Sequence, residues 1–310
     1  MRARRNHIRI VLAAALILAA LAVFIIMRVR RPAHSEPQVQ TGTLEQFPAF
    51  PSAFITPRTI SVWLPDGYEA GQPCNVIYMH DGQMLFDAEA TWNHQEWAVD
   101  EVAGRMIAQH QIPPCIVVGI DNTSDRLTEY FPEKTKHYID AGKPLEIISF
   151  QGDAYLRFIV EELKPFIDER YHPATDRAHT FMIGSSMGGL ISLYALCEYP
   201  DIWGGVACLS SHLSMAHLQF GKGSERMAGA FAAYVADHLP PANSCRVYMD
   251  HGTKGFDAAY GRYQPAIDAI FQRQGWDQAH YRSLVFEGDE HNEICWANRL
   301  AEPLSFLMAP

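Results

Sequence analysis

The stretch that decides the fold of this 310-residue chain is Thr180-Phe-Met-Ile-Gly-Ser-Ser-Met-Gly-Gly-Leu190. It contains the pattern G-x-S-x-G, as Gly184-Ser185-Ser186-Met187-Gly188. An apolar strand pattern at 179–183 leads into it, and a helix pattern follows at 188–199. This order of strand, sharp turn and helix exposes a nucleophilic serine at the end of a buried strand. We therefore predict that Ser186, at the centre of the pattern, is a nucleophile.

The two glycines of the pattern have a steric role. Because Gly184 and Gly188 lack a Cβ atom, the strand and the helix can approach each other closely. The turn also aims the backbone N–H of Met187 at a developing oxyanion, beside a helix N-terminus that favours negative charge. The alternative is a tight strand–helix turn that carries an incidental serine.

Strand and helix patterns alternate along the rest of the chain. This alternation predicts an α/β fold with a mostly parallel central sheet and helices on both of its faces. Strands are predicted at 59–64, 74–79, 115–120, 179–183, 205–209, 246–249 and 281–286. Helices are predicted at 154–170, with a kink at Pro165, and at 188–199, 258–274 and 292–308.

A histidine is needed to take the proton of Ser186, and in sites of this kind the chain order is serine, acid, histidine. His291 lies in the polar loop 288–292, after the last predicted strand and before the last predicted helix. Such sites are built in loops at the carboxyl ends of parallel strands. Five other histidines follow Ser186, but none of them combines these three features. We predict that His291 is the general base.

Two aspartates are candidates for the residue that orients His291. Asp250 directly ends the strand predicted at 246–249, and Asp257 lies at the far end of the following loop. Either carboxylate could hold the imidazole, and Asp257 could instead only cap the helix that begins at Ala258. The spacing leaves this choice open.

The oxyanion also needs a second N–H, from a loop that follows an early strand. His80-Asp81-Gly82-Gln83 directly follows the strand predicted at 74–79. Gly82 permits a backbone conformation that turns amides inward, so we predict that the N–H of Gln83 is the second donor. The side chains of His80 and Asp81 are equally well explained by a turn.

The composition excludes some classes of function. The chain is 48% hydrophobic and 19% charged, which is typical of a globular protein with a substantial core. Its net charge of −10 argues against a nucleic-acid partner, which would require a basic patch. The six cysteines show no metal-ligand spacing. Most of them lie in apolar segments, where free buried thiols are expected.

The beginning of the chain differs from the rest. Residues 10–27 are eighteen consecutive apolar residues, enough for a transmembrane helix, and arginines rather than a small-residue cleavage site follow them. We predict an uncleaved signal anchor or transmembrane segment at 1–31, a linker at 32–46 and one catalytic domain at 47–310. Arginines on both sides only weakly favour a periplasmic or other extracytoplasmic catalytic domain, and free thiols favour the opposite orientation.

With these segments in place, the chain resembles the putative esterase family of α/β-hydrolases. The family includes enterochelin-type siderophore esterases, feruloyl esterases, S-formylglutathione hydrolase and mycolyl transferases. The resemblance covers residues 55–305 and implies the α/β-hydrolase fold, here preceded by the predicted transmembrane helix. The matching stretches are Tyr78–Gln83, Arg126-x-x-Glu-Tyr130, Gly184–Leu190, His251-Gly-Thr253 with Asp257, and His291-Asn-Glu293.

The resemblance also implies roles for particular residues. Ser186, Asp257 and His291 would form the catalytic triad, which tips the choice of acid toward Asp257. The amides of Gln83 and Met187 would form the oxyanion hole. The candidates for contact with substrate are Asp81, Arg126, Glu129 and Tyr130.

These features predict a serine esterase that cleaves a small-molecule ester through an acyl-enzyme on Ser186, with no metal or organic cofactor. An acyltransferase would use the same triad, with an alcohol in place of water. A non-catalytic binding protein on the same scaffold would be indicated by a missing triad residue, and the sequence holds a candidate for each position.

Overall fold

An eight-stranded sheet forms the centre of the computed structural model, which describes residues 36–139, 149–214 and 224–309. The strand order is β1-β2-β4-β3-β5-β6-β7-β8. β2 pairs antiparallel with β1 and with β4, and the other neighbouring pairs are parallel. The strands are β1 (Thr43–Phe50), β2 (Arg58–Leu64), β3 (Asn75–His80), β4 (Cys115–Ile120), β5 (Thr180–Ser185), β6 (Gly205–Leu209), β7 (Arg246–Gly252) and β8 (Tyr281–Phe286). The predicted mostly parallel α/β sheet is confirmed.

Helices connect the strands and cover the sheet. The α-helices are α1 (Val99–Ala108), α2 (Arg126–Glu129), α3 (Gly152–Arg157), α4 (Lys164–Tyr171), α5 (Met187–Glu198), α6 (Ser224–His238), α7 (Gln264–Arg273), α8 (Glu293–Arg299) and α9 (Ala301–Leu307). Two 3₁₀ helices, Gly82–Met84 and Gly255–Arg262, lie beside the candidate site.

The sheet is buried on both faces. Along β3, Val76 and Tyr78 belong to one apolar cluster and Ile77 and Met79 to a second, because successive side chains of a strand point to opposite faces. The first cluster contains residues of α3 to α7, and the second contains residues of α1, α8 and α9. The prediction of helices on both faces is therefore confirmed.

β1 is the strand that the sequence did not indicate. Residues 43–46 were assigned to the linker, but Thr43–Phe50 pairs with β2 at the edge of the sheet. Its sequence, TLEQFPAF, lacks a clean alternation of apolar and polar residues, and its register with β2 shifts between Phe47 and Phe50. Pro48 lies in that irregularity, where a residue without an N–H donor is tolerated. The folded domain thus begins before the predicted boundary at residue 47.

Three predicted helices are interrupted, each beside a proline or a change of helix type. In the helix predicted at 154–170, a π-helical segment, Phe158–Leu163, lies just before Pro165, which cannot donate an N–H. The 258–274 prediction is divided between the 3₁₀ helix Gly255–Arg262 and α7. The 292–308 prediction is divided between α8 and α9, with Pro303 in the first turn of α9. α1, α2 and α6 were not predicted.

The predicted anchor at 1–31 lies outside the described residues. Within residues 36–139, 149–214 and 224–309, no helix is both long enough and apolar enough to cross a bilayer. The anchor and the membrane orientation stay predictions. All six cysteines lie in the described part and are free, as expected, and five of them are buried.

Candidate active site

Ser186 lies in the sharp turn between β5 and α5. Its φ of 57° and ψ of −119° form a strained backbone combination for a residue that carries a side chain. A Cβ atom on Gly184 would lie 2.6 Å from the carbonyl carbon of Gly188 and 2.7 Å from the ring of His80. The close approach of strand and helix therefore requires glycine at 184, as the motif predicted.

Two helix N-termini supply the amides predicted for the oxyanion hole. The N–H of Met187 begins α5, and the first N–H groups of a helix have no intrahelical acceptor. Gln83 lies in the 3₁₀ helix Gly82–Met84, whose first ladder bond runs from the N–H of Met84 to the carbonyl of Asp81, at 2.9 Å. Gln83 comes before Met84 in the chain, so its N–H also has no acceptor within the 3₁₀ helix.

The predicted reason for a glycine at position 82 is wrong. The left-handed residue of this loop is Asp81, with a φ of 58°, rather than Gly82. A Cβ atom on Gly82 would instead lie 2.7 Å from the carbonyl carbon of Gly119 and from the amide nitrogen of Ile120, both in β4. Glycine is needed here because the loop passes directly over the neighbouring strand.

Asp257 and His291 form a hydrogen-bonded pair. The Oδ1 atom of Asp257 lies 2.6 Å from Nδ1 of His291. Its Oδ2 atom accepts from the hydroxyl of Ser210, at 2.5 Å, and from the N–H of Gly252, at 2.7 Å. Burial alone would raise the pKa of Asp257, but these three hydrogen bonds outweigh it and lower that pKa. Asp257 is therefore a carboxylate at neutral pH.

Asp250, the other candidate acid, has a different partner. Its carboxylate accepts from Nη2 and Nε of Arg299, at 3.0 and 3.2 Å, and all of these groups are buried. The hydroxyl of Tyr248 donates to the same carboxylate at 3.0 Å. The structure thus joins His291 to Asp257 and not to Asp250. Asp257 is also not a helix cap, because Lys254 holds that position.

His80 lies beneath the turn that carries Ser186 and is a buried structural residue. Its Nδ1 atom is 2.8 Å from the hydroxyl of Tyr155. Burial lowers the pKa of His80 to about 3, so the ring is neutral. Asp81 points to the cavity side, where its carboxylate accepts two hydrogen bonds from Arg126, at 2.7 and 2.8 Å, and one from Asn122, at 2.6 Å.

The four residues predicted to contact substrate fall into two pairs. Asp81 and Arg126 line the cavity above Ser186. Glu129 is fully buried in a two-bond ion pair with Arg58, at 2.6 and 2.9 Å. Tyr130 is also fully buried, and its hydroxyl accepts from the N–H of Asp81 at 3.3 Å. Glu129 and Tyr130 are outside the cavity lining, and Tyr130 supports Asp81 through the hydrogen bond to its N–H.

Ser186 and His291 line the same cavity, which has a volume of about 520 Å³. Three tryptophans, Trp92, Trp97 and Trp296, line it together with Asp81 and Arg126. The cavity therefore brings the predicted nucleophile and the predicted base together with an aromatic wall and an ion pair, which suits an organic substrate with both apolar and polar parts.

Residues 52–307 match the family model described as "Putative esterase". This chain belongs to the putative esterase family. It is accordingly a carboxylic ester hydrolase, and the predicted family resemblance is confirmed. A siderophore enterobactin esterase of Emericella nidulans is 29% identical over 144 residues, which are 45% of this chain and 46% of the relative.

Solved structures of esterases share the fold. A ferulic acid esterase has a TM-score of 0.63 and 18% identity over 86% of this chain and 98% of its own. The enterobactin esterase of Shigella flexneri, solved with 2,3-di-hydroxy-N-benzoyl-glycine, has a TM-score of 0.63 and 19% identity over 87% of this chain and 60% of its own. At these identities the likeness shows the α/β-hydrolase architecture alone.

Several residues of this esterase's site were not predicted. The hydroxyl of Ser210 accepts from Arg299, at 2.8 Å, and from Trp296, at 3.0 Å, and donates to Asp257. Ser210 has a φ of 44°, so it too lies in a strained turn after a strand. No motif marks Ser210, Trp296 or Arg299, because their role depends on contacts between β6, β7 and α8.

Three carboxylates of the described residues form a group that could hold a metal ion, near the N-terminus of α1. Oxygens of Glu96, Asp100 and Glu101 lie within 4.8 Å of one another, an all-oxygen set of the kind that hard cations accept. Burial and the charge of Asp100 raise the pKa of Glu101 to about 7. A proton on Glu101 can therefore also reduce the repulsion between the carboxylates. None of the three lines the cavity that holds Ser186.

Proposed function

We propose that this esterase cleaves carboxylic esters through an acyl-enzyme on Ser186, with His291 as general base and Asp257 as its orienting carboxylate. One observation carries the proposal. His291 is bonded to Asp257 at 2.6 Å and lines the same cavity as Ser186. The strained turn between β5 and α5 exposes Ser186 to that cavity. A serine, a carboxylate and a histidine in this chain order are the groups that activate a serine for acyl transfer.

In the first half of the reaction, His291 takes the proton of Ser186 while Oγ attacks the ester carbonyl carbon. The amides of Met187 and Gln83 stabilise the negative charge that develops on the carbonyl oxygen. His291, now an imidazolium ion held by the Asp257 carboxylate, protonates the leaving alcohol as the carbon–oxygen bond breaks. The alcohol departs and leaves an ester of Ser186.

Water completes the second half. His291 removes a proton from the water as it attacks the acyl carbon, and the same amides hold the second tetrahedral oxyanion. The proton then returns to Oγ of Ser186 and the carboxylic acid leaves. Asp257 remains a carboxylate throughout, since the hydrogen bonds around it lower its pKa.

A fluorophosphonate probe tests the assignment of the nucleophile. We expect one covalent adduct per chain, and peptide mapping should place it on Ser186, because only an activated serine reacts at an appreciable rate. Stable labelling at another residue, or none, would contradict the proposal.

The exposed apolar side chains suggest the chemical character of the substrate. Five large apolar side chains are exposed among the described residues: Trp92, Leu127, Phe256, Val285 and Ile294. Trp92 lines the cavity, Leu127 and Ile294 each follow a lining residue, and the ring of Phe256 lies 6.0 Å from that of His291. Two of the five, Trp92 and Phe256, thus lie at the cavity or beside a residue that lines it, although exposure of large apolar groups is unfavourable. We infer that they contact an apolar or aromatic part of the ester.

Trp92 is the residue on which to test this substrate class. The ligand in the Shigella enterobactin esterase structure carries a benzoyl ring, and an indole face offers stacking to such a ring. We expect Trp92→Ala to raise KM for an aryl ester about tenfold, the effect of losing one aromatic contact, and to leave KM for an acetate ester nearly unchanged.

Val285 supplies the matched control. It is 60% exposed on β8 but is not a lining residue of the cavity. Val285→Ala should change neither KM. An equal rise of both KM values in Trp92→Ala would show that Trp92 supports the site in general and does not select an aryl group.

A further inference from the structure

The carboxylates and the guanidinium group that line the cavity above Ser186 do not cancel in charge. Asp81 and Arg126 neutralise each other through two hydrogen bonds, of 2.7 and 2.8 Å. Glu293 also lines the cavity. No lysine, arginine or histidine in the described part of the chain forms an ion pair with Glu293. The cavity therefore contains one carboxylate that no such side chain neutralises.

Asn93 holds the carboxylate of Glu293 in place. The Nδ2 atom of Asn93 donates to Oε2 of Glu293 at 3.0 Å. The Oδ1 atom of Asn93 accepts from the backbone N–H of Gln95 at 3.1 Å. Because a backbone N–H can only donate, the amide atom that meets it must be the oxygen, and the NH₂ group must face Glu293. The second carboxylate oxygen, Oε1, accepts no hydrogen bond within the described residues.

The tryptophans of the cavity are close in the chain to this pair. Trp92 directly precedes Asn93, and Trp296 is three residues after Glu293 in α8, so that it lies on the same side of the helix. The ring centroids of Trp296 and Trp97 are 5.3 Å apart. The face of an indole attracts a cation as well as an apolar group. The aromatic wall and the carboxylate therefore favour the same sign of charge.

Gln95 supplies another acceptor in the same cavity. It belongs to the lining, and its Oε1 atom is buried without a hydrogen-bond donor in the part of the chain that the structure describes. A buried acceptor without a donor is unfavourable. Glu293 and Gln95 thus both match a ligand group that brings N–H donors, and Glu293 in addition matches a positive charge.

We propose that Glu293 binds an ammonium group of the ester substrate. The ammonium N–H donates to the carboxylate of Glu293, while the apolar part of the ester contacts the tryptophans. This inference rests on the proposed function and deepens it, because it assigns a charge to the ester that acylates Ser186. An ester that carries a carboxylate would instead meet a like charge in the cavity.

Glu293 has a structural use that the experiment must separate from binding. It lies in the first turn of α8, where a negative charge is favourable. That use alone would make the stability of the enzyme depend on Glu293, but it would give the cavity no preference for a cation.

Benzylammonium and benzyl alcohol are matched probes, because each carries one aromatic ring and they differ in the charged group. We expect calorimetric titration of the wild-type enzyme to give a Kd for benzylammonium about tenfold below that for benzyl alcohol, the effect of a hydrogen bond to a charged group. Both probes should compete with p-nitrophenyl acetate, which would place them in the cavity that holds Ser186.

Glu293→Gln is the decisive variant, since it removes the charge and keeps an oxygen that can accept from Asn93. We expect the Kd for benzylammonium to rise about tenfold, to the value for benzyl alcohol. The control is Glu290→Gln, which removes one charge from an exposed side chain outside the cavity lining. It should leave both Kd values nearly unchanged, although it alters the net charge of −10 by the same amount.

The outcomes separate two failures. Equal Kd values for the two probes in the wild-type enzyme, or the same Kd for benzylammonium in Glu293→Gln, would overturn the ammonium site and leave the proposed function intact. If the fluorophosphonate probe does not label Ser186 in the wild-type enzyme, the proposed function is wrong. The calorimetric Kd values still decide the ammonium site in that case, because they need no turnover.

Discussion

Ser186→Ala is expected to lower kcat for p-nitrophenyl acetate by a factor on the order of 10⁶, as triad deletions do in serine proteases. Alanine removes Oγ and with it the acyl-enzyme route. The amides of Met187 and Gln83 and the cavity remain, so some acceleration over water should persist. The measurement is a steady-state rate on freshly purified protein, compared with wild type at equal concentration.

Ser185→Ala is the matched control for this experiment. Ser185 is adjacent in the chain and also lines the cavity, but it ends β5 and is not the centre of the motif. It should retain most of the wild-type kcat. Retention of most activity in Ser186→Ala, or an equal loss in both variants, would refute Ser186 as the nucleophile.

Asp257→Asn is expected to lower kcat by a factor on the order of 10⁴, with KM little changed. An amide can keep the contact at 2.6 Å with Nδ1 of His291, but it can stabilise the wrong tautomer and does not offset the imidazolium charge. Both constants should be measured for the wild-type and variant enzymes with the same ester at the same pH.

Asp250→Asn separates a catalytic effect from a stability effect. Asp250 and Arg299 form a buried pair, and removal of one charge leaves the other uncompensated. We expect the free energy of unfolding in urea to fall by about 3 kcal/mol, with kcat of the folded enzyme reduced far less than in Asp257→Asn. The reverse pattern would show that His291 is oriented by Asp250.

The strand pattern was largely predictable from sequence. β4, β6 and β8 have their predicted bounds, because short apolar runs between turn residues are typical of buried parallel strands. β1 was missed because its exposed edge position imposes no strict alternation, and the interruptions near Pro165 and Pro303 depend on local backbone bonding that periodicity does not register.

The candidate site was predictable only in part. Ser186 and His291 are marked by local context, namely a strand before each and a helix after each. Arg126 and Glu129 are three residues apart in one short helix, yet Arg126 lines the cavity and Glu129 is buried against Arg58. Which side of a helix faces a cavity depends on what packs beneath it.

The sequence by itself determined the turn at Ser186. The turn joins a buried strand to a helix, and it depends on short-range steric contacts that the two flanking glycines permit. The sequence also determined the mostly parallel sheet, because periodicity and alternation are properties of neighbouring residues. Only the tertiary structure shows which of Asp250 and Asp257 is bonded to His291. That choice depends on Arg299 of α8 neutralising one carboxylate while Ser210, after β6, and Gly252, in β7, hold the other against His291. These partners come together only when the strands lie side by side, and nothing in the spacing of the two aspartates anticipates them.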